Sequence, residues 1–336
     1  MFLYNLKMKV VNKINGINHL KFSKISFYLK PETFLSLPDF KGTTLRGGFG
    51  YAFKKIVCFS NVRKDCESCF LSDKCPYSLI FEGNLKNRGK WKGLKQVPKP
   101  FIIEPPLSHK GVYSGSETFK FNLILIGQAV NYFPYFFLAF SHLGEFGIGK
   151  GRKKFTIEKV EQIYPVEKTI YENGNDYIEK PLSTPLNFTE PVGVENIIFD
   201  FLTPVKIKHN GKYLSVIEFH QFFRNLLRRI SLLSFFWCNS EIGFDWKNLI
   251  EESKKVRISR CNLRWIDFYR YSTRQHQSMK IGGVVGKIEY TGDLDKFLPF
   301  IELGKYIHIG KNTTFGLGQY TYTYSPTCSK EKTGVF

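Results

Sequence analysis

The residues best equipped for chemistry lie near the carboxyl end. In HIGKNTTFGLGQYTYTY, His308 to Tyr324, one imidazole and the Lys311 ammonium stand at the mouth of a loop carrying Gly310, Gly316 and Gly318. Histidine titrates close to neutral pH and serves as a general acid or base. Glycines let a phosphodiester approach the chain and accept hydrogen bonds from its amides. The pattern suits proton transfer at a phosphate: His308 as base or acid, Lys311 against the charge that develops on the phosphorus centre, and Gly310, Thr313, Thr314, Gly316 and Gly318 along the backbone of the ligand. The competing reading is a histidine hydrogen-bonded at the start of a strand. A nucleotide-hydrolysing phosphate loop is excluded, because Gly304 lies one residue too far back, Asn312 takes the hydroxyl position and a strand follows.

A second set surrounds the first. RISRCNLRWIDFYRYSTRQ interleaves Arg257, Arg260, Arg264, Arg270 and Arg274 with Trp265, Phe268, Tyr269 and Tyr271. Along a strand, that alternation offers cations to phosphates and flat rings to unstacked bases; otherwise the rings are core and the arginines solvated. His220, Arg224 and Arg228 fall at i, i+4 and i+8, one polar stripe on a helix, with His220 the runner-up for proton transfer. The run GNLKNRGKWKGLKQVPKPF has no carboxylate and reads as a basic loop.

Four of seven cysteines, Cys58, Cys66, Cys69 and Cys75, fall within nineteen residues, CFSNVRKDCESCFLSDKCP. Four thiolates in a short loop suit a structural Zn(II). The Cys66-x2-Cys69-x5-Cys75-Pro spacing also fits iron–sulfur ligation, and unligated thiols are the third reading.

The elements that must hold these groups follow from composition and period. The 336 residues exceed one usual domain, and 49 Lys plus Arg against 29 Asp plus Glu give a net charge of +20, which favours a polyanion, nucleic acid before an anionic membrane surface. No secretory leader is evident at the amino end, and the greasiest run, from Tyr132, is short and interrupted by Pro134, so the expectation is a soluble, cytoplasmic protein. KFSKISFYLKP alternates as a strand, TTLRGGFGYAFKKIVC has helical spacing, YSLIFEG and SETFKFNLILIGQAV read as strands, YFPYFFLAFSHLG as a helix ending at Gly144, and a glycine-rich loop leads into a last strand. This is β-α-β-β-α-β, the ferredoxin-like order, and the same order recurs after a proline-bearing connector, with Asp293 as the expected cap of its second helix. HLGEFGIGKGRKKFTIEKV and ELGKYIHIGKNTTFGLGQYTYTY repeat a Leu-Gly helix end, an Ile-Gly-Lys and a strand. The expected fold is α+β, with two tandem ferredoxin-like (RRM-like) domains: 20–165 with a cysteine-rich metal-binding insertion at 58–76, a linker at 166–192, and 193–325 with the glycine-rich loop.

LRGGFGYAFKKIVC, CESCFLSDKCPYSLIFEG, HLGEFGIGKGRKKF, YRYSTRQHQSMKIGGVVGKIEYTG and GKYIHIGKNTTFGLGQY resemble, in order from residue 22 to 324, the CRISPR-associated repeat-RNA processing endoribonucleases of the RAMP superfamily, in their cysteine-containing branch. The resemblance implies a protein that binds the repeat in a precursor transcript and cuts once per repeat to release crRNA. It implies attack by the RNA's own 2′-hydroxyl without a catalytic metal ion, leaving a 2′,3′-cyclic phosphate and a 5′-hydroxyl. Tyr271, Ser272, Arg274 and Gln275 would then flank the scissile phosphate or its bases, with Tyr271 a third catalytic candidate. Arg46, Lys150, Arg152, Arg224, Arg228, Arg264 and Arg270 would bind RNA. Some family members carry the active histidine near the first helix, where this chain has Arg46, Gly47, Gly48 and Tyr51; Tyr51 and Lys54 are the alternates there. Two other functions stay open: a RAMP subunit that holds crRNA in an effector complex without cutting it, and a zinc-stabilised DNA-binding or scaffold protein, which should prefer duplex DNA.

Overall fold

The computed structural model describes residues 8–9, 17–59, 66–83, 89–94, 96–243, 245–272 and 277–326. Its amino-terminal lobe is built from β1 (Phe22–Pro31), α1 (Gly42–Val57), β2 (Phe101–Glu104), β3 (Phe119–Ile126), α2 (Phe133–Phe146), β4 (Phe155–Tyr164) and β5 (Lys168–Glu172). The sheet order is β2-β3-β1-β4-β5, antiparallel throughout. Alternate residues of a strand face opposite sides. Ile25, Phe27 and Leu29 of β1 sit beside Leu123, Phe121 and Phe119 of β3 and form one apolar face. On it pack α1 and α2, with Phe49 at the centre of five rings, Phe53, Phe81, Phe101, Phe136 and Phe140, at centroid distances of 5.0 to 6.1 Å.

The carboxyl-terminal lobe follows: β6 (Val194–Val205), α3 (Phe219–Cys238), α4 (Trp246–Ser253), β7 (Arg257–Ser272), β8 (Gln277–Thr291), α5 (Leu298–Ile307) and β9 (Tyr320–Pro326). Its order is β7-β8-β6-β9. β7 and β8 pair from Arg257↔Thr291 to Ser272↔Gln277, a long hairpin that carries the arginine and aromatic alternation. Phe199 of β6 meets Phe222 of α3, Tyr290 of β8 and Tyr320 of β9.

Three elements differ from the sequence reading. YSLIFEG is a π-helical turn, Tyr77–Glu82, and not a strand. Tyr77 and Phe81 stack on each other at 4.9 Å and reach Phe53 and Phe49, which one face of a helical turn allows and a strand does not. The strand position falls instead to β2. The second helix of the carboxyl-terminal lobe begins at Leu298, and Asp293 pairs with Lys296 rather than capping it. The span 166–192 is not wholly a connector, because β5 forms the edge of the first sheet and Thr184 bridges to Phe22.

The lobes meet on the first sheet's second face. There Phe22 stacks with Tyr164 of β4 at 4.6 Å, and both contact Tyr306 of α5, at 4.8 and 5.3 Å. No helix among the described residues is long and apolar enough to cross a membrane.

Candidate nucleic-acid interface and active site

The glycine-rich loop after α5 bends through left-handed backbone at His308, Gly310, Asn312, Gly316 and Gly318. It folds down onto protein. A Cβ at Gly318 would stand 1.8 Å from the Ile309 carbonyl oxygen, and one at Gly316 would stand 2.4 Å from Pro105 Cδ and 2.7 Å from the Ile103 carbonyl oxygen. Thr203 Oγ1 donates to the Gly316 carbonyl at 2.8 Å and accepts from the Gln319 amide at 2.8 Å. Thr313 and Thr314 are buried. The bare backbone therefore serves close approach to protein, at Gly316 to the other lobe and at Gly318 to the loop's own Ile309, and the expected cradle for an RNA backbone at Thr313, Thr314, Gly316 and Gly318 is replaced by protein contacts.

His308 is the pin of this contact. It is 0% exposed. Nδ1 lies 3.0 Å from the Leu317 carbonyl oxygen, and Nε2 lies 2.9 Å from Glu104 Oε1 on the first sheet. The other Glu104 oxygen accepts from Asn122 Nδ2 at 3.0 Å and from the Lys24 ammonium at 2.7 Å, and Asn122 in turn accepts from Ser26 Oγ at 2.8 Å. Burial opposes ionisation of Glu104. The His308 hydrogen bond and the Lys24 charge outweigh it and bring the carboxyl down to about 2. The imidazole thus lies between the Leu317 carbonyl and the Glu104 carboxylate, with both ring nitrogens in contact with protein. With no open face and both nitrogens engaged, His308 cannot meet a 2′-hydroxyl in this arrangement, which corrects its assignment as acid or base.

A different histidine stands open beside the same contact. Lys41, at the start of α1, is 0% exposed, and its ammonium donates to the carbonyls of Asp39 at 3.0 Å and Ser108 at 2.8 Å. Burial pushes its pKa down, against the pull of Asp39. A two-stranded ribbon, 34–36 with 112–114, joins the same two loops from behind. Brace and ribbon bring Asp39 and His109 together, with Asp39 Oδ1 2.7 Å from His109 Nδ1. Such a carboxylate orients the ring and leaves Nε2 to face outward. Next to it Phe40 stacks on Phe268 of the β7 hairpin at 5.0 Å. The α1 amino end also touches the glycine loop, where a Gly42 Cβ would stand 2.0 Å from the Phe315 carbonyl oxygen. Arg46 lies over Phe81 at 4.1 Å and Phe315 at 4.8 Å, so it reaches across the lobes.

Lys311 belongs to a second surface group. Its ammonium is 3.3 Å from Tyr213 Oη, and Lys206 lies over the Tyr213 ring at 4.3 Å and the Trp265 ring at 5.9 Å. The Lys311 hydrogen bond lowers the Tyr213 pKa despite some desolvation, with Lys206 and Lys208 adding to it. Trp265 donates to Asp267, which pairs with Lys280 at 2.8 Å. Arg264 and Tyr269 are exposed on the same hairpin. Arg270, Tyr271 and Ser272 occupy the hairpin's end as backbone, and Arg274 and Gln275 lie outside the described residues.

The remaining candidates are dispersed. His220 is half-buried in the first turn of α3, and burial together with nearby cations lowers its pKa. Arg224 and Arg228 rise from that helix beside a cavity. Tyr51 is exposed against Phe146, and Lys54 lies over Tyr77 at 5.7 Å. Lys150 and Arg152 are exposed on the tight turn of the first lobe's own glycine loop. Cys58, Cys66, Cys69 and Cys75 are half-buried and form no disulfide, with Cys66 and Cys75 packed against the core, and desolvation raises the Cys66 pKa. Among the described residues no group of three or more His, Cys, Asp or Glu is placed to hold a metal ion, so the zinc and iron–sulfur readings have no support in this fold.

Sequence reading missed His109, Asp39, Glu104, Lys206 and Tyr213. Asp39 and His109 lie in loops, where the hydrophobic period carries no signal, and Glu104 ends a short strand whose apolar run says nothing of its partner.

Residues 199–320 match the family model described as CRISPR-associated endoribonuclease Cas6, and residues 20–183 match another described as an N-terminal domain. The carboxyl-terminal lobe is thus similar to the Cas6 endoribonuclease family over residues 199–320. An uncharacterised protein of Archaeoglobus fulgidus is 25% identical over 286 residues, 84% of this chain and 91% of that one. A Cas6 product complex shares the fold with a TM-score of 0.53 at 15% identity, over 90% of this chain and 99% of its own. Thermus thermophilus Cas6 gives a TM-score of 0.51 at 13% identity, over 90% of this chain and 99% of that.

Proposed function

We propose that this protein is an endoribonuclease that cleaves the repeats of a CRISPR precursor transcript into crRNA. The match of residues 199–320 to the Cas6 endoribonuclease model carries the reading. The net charge of +20 and the cationic, aromatic outer face of the β7–β8 hairpin support an RNA ligand. In this reading each lobe is a ferredoxin-like domain, divided in the span 166–192, and the repeat lies across the seam between them.

Cleavage uses the RNA's own 2′-hydroxyl, which attacks the adjacent phosphorus as the 5′-oxygen leaves. A 2′,3′-cyclic phosphate and a 5′-hydroxyl result, without a catalytic metal ion. His109, oriented by Asp39, is the proton-transfer group beside the Phe40–Phe268 stack. The hairpin arginines supply charge for the phosphate, while Lys206, Lys311, Tyr213 and Trp265 hold flanking nucleotides by charge and stacking. His308 and Glu104 set the relation of the lobes and touch no RNA.

The test is incubation with the host's repeat RNA in excess EDTA, beside the same RNA carrying one 2′-deoxy substitution at the cut. Cleavage of the first alone supports the reaction. Tight binding with no cut identifies a crRNA-holding RAMP subunit instead, and preference for duplex DNA would remove both readings.

A further inference from the structure

A cavity of about 420 Å³ opens along α3. It lies in the seam, because Lys90 and Trp91 come from the first lobe while Arg224, Leu227, Arg228, Ser231, Phe235, Glu241, Trp246 and Ile250 come from the second. The inner wall is apolar and aromatic. Trp91, Phe235 and Trp246 are half-buried there, and Gly89 packs against the Phe235 ring. Arg224 and Arg228 stand exposed at the rim, and neither has an ion pair among the described residues. Lys90 and Glu241 close the far edge through a 2.8 Å ion pair, leaving two uncompensated positive charges. The indole nitrogen of Trp91 is buried without a hydrogen-bond partner, an uncommon state for a buried donor.

We infer that this cavity binds a nucleoside phosphate, with the base inserted between the tryptophans and the phosphate held by Arg224 and Arg228. Flat rings favour a π-face, arginines favour phosphate oxygens, and a base carbonyl or ring nitrogen would satisfy the stranded Trp91 N–H. A seam between two lobes is a common place for such pockets, and this volume accommodates a single nucleotide. The source we favour is an unpaired nucleotide of the RNA strand, which rests on the reading above. Asn225, between the two arginines in sequence, accepts the Gly310 amide at 3.1 Å, so the helix that lines the cavity also fixes the loop.

A short oligouridylate carrying one 5-iodouridine, photo-crosslinked to the full-length protein and mapped by mass spectrometry, tests the assignment. Adducts at Trp91 or Trp246 are expected, and their loss in Arg224→Gln or Arg228→Gln. Ser231→Phe, which fills the cavity without removing a charge, should weaken oligouridylate binding by about tenfold, the effect of losing one stacked base. Adducts confined to other residues, or displacement by polyglutamate as effective as by RNA, overturn the site. UMP competing at the same residues assigns the cavity to a free nucleotide, and competition by oligonucleotide alone assigns it to a strand; both keep a nucleoside phosphate there. A protein that cuts repeat RNA but gives adducts only elsewhere retains its activity assignment and loses this one. A protein that forms the Trp91 adduct and cuts nothing does the reverse.

Discussion

His308 and Glu104 are 204 residues apart in the chain and 2.9 Å apart in space, joined inside the contact between the lobes. Removing one partner of this buried hydrogen bond leaves the other unsatisfied. His308→Ala and Glu104→Ala should each lower stability by about 1–3 kcal/mol, read by denaturant unfolding. Curves that match the wild type would show that the pair does not hold the lobes.

Glu104 also gives the fold an acid limit. Its folded pKa, about 2, lies below that of an unfolded glutamate, about 4.3. A depressed carboxylate contributes stability above the unfolded value and loses it as pH falls toward the folded value. The wild type should therefore weaken between about pH 4.5 and pH 2. Melting temperatures of Glu104→Gln across that window should be flatter; parallel curves would count against the carboxylate's role.

Gly316→Ala and Gly318→Ala should damage folding before RNA binding. Both have left-handed backbone, and the new methyl would collide with Pro105 and Ile103 in one case and with Ile309 in the other. A loss of at least about 1–3 kcal/mol is expected for each. Thermal unfolding decides it, and wild-type melting with weakened RNA binding would restore the view of the loop as an RNA cradle.

His109→Ala should slow repeat cleavage by about 10²–10⁴-fold while melting as the wild type does. Asp39→Asn should slow it less, since the ring keeps its place but loses its carboxylate. Single-turnover rates separate these outcomes from His308→Ala, whose loss of activity should track its loss of fold. Full cleavage by His109→Ala sends the search for the base to Tyr213.

Lys311→Ala should lower RNA affinity evenly across sequences and reduce the slope of log affinity against log salt by about 0.7, the share of one phosphate on a single strand. Trp265→Ala should cost affinity while leaving that slope unchanged. Salt titrations of both variants distinguish charge from stacking.

Much of the architecture was legible because it repeats and alternates. The β7–β8 hairpin follows from its aromatic and branched residues, and the paired glycine loops from the shared Leu-Gly and Ile-Gly-Lys. The location of the glycine loop was therefore readable, but not what approaches it, since glycine looks the same whether the neighbour is RNA or Ile103. Tyr77 and Phe81 misled because aromatic residues suit both a strand and a buried helical turn. His308 misled for a different reason: its partner is supplied by a strand of the other lobe, and no local pattern reports it. Asp39 and His109, 70 residues apart in two loops, are brought within hydrogen-bond reach by the buried Lys41 and the ribbon behind them.

The docking of the second lobe's loop on the first lobe's sheet changes what each half is. Without its neighbour, the bed formed by Ser26, Asn122 and Glu104 would lie open to water, and the loop that ends in Gly318 would have no surface to bend against. The two lobes have become each other's missing wall. Neither is a portable module, and any graft or exchange between such proteins has to move both sides of that seam together.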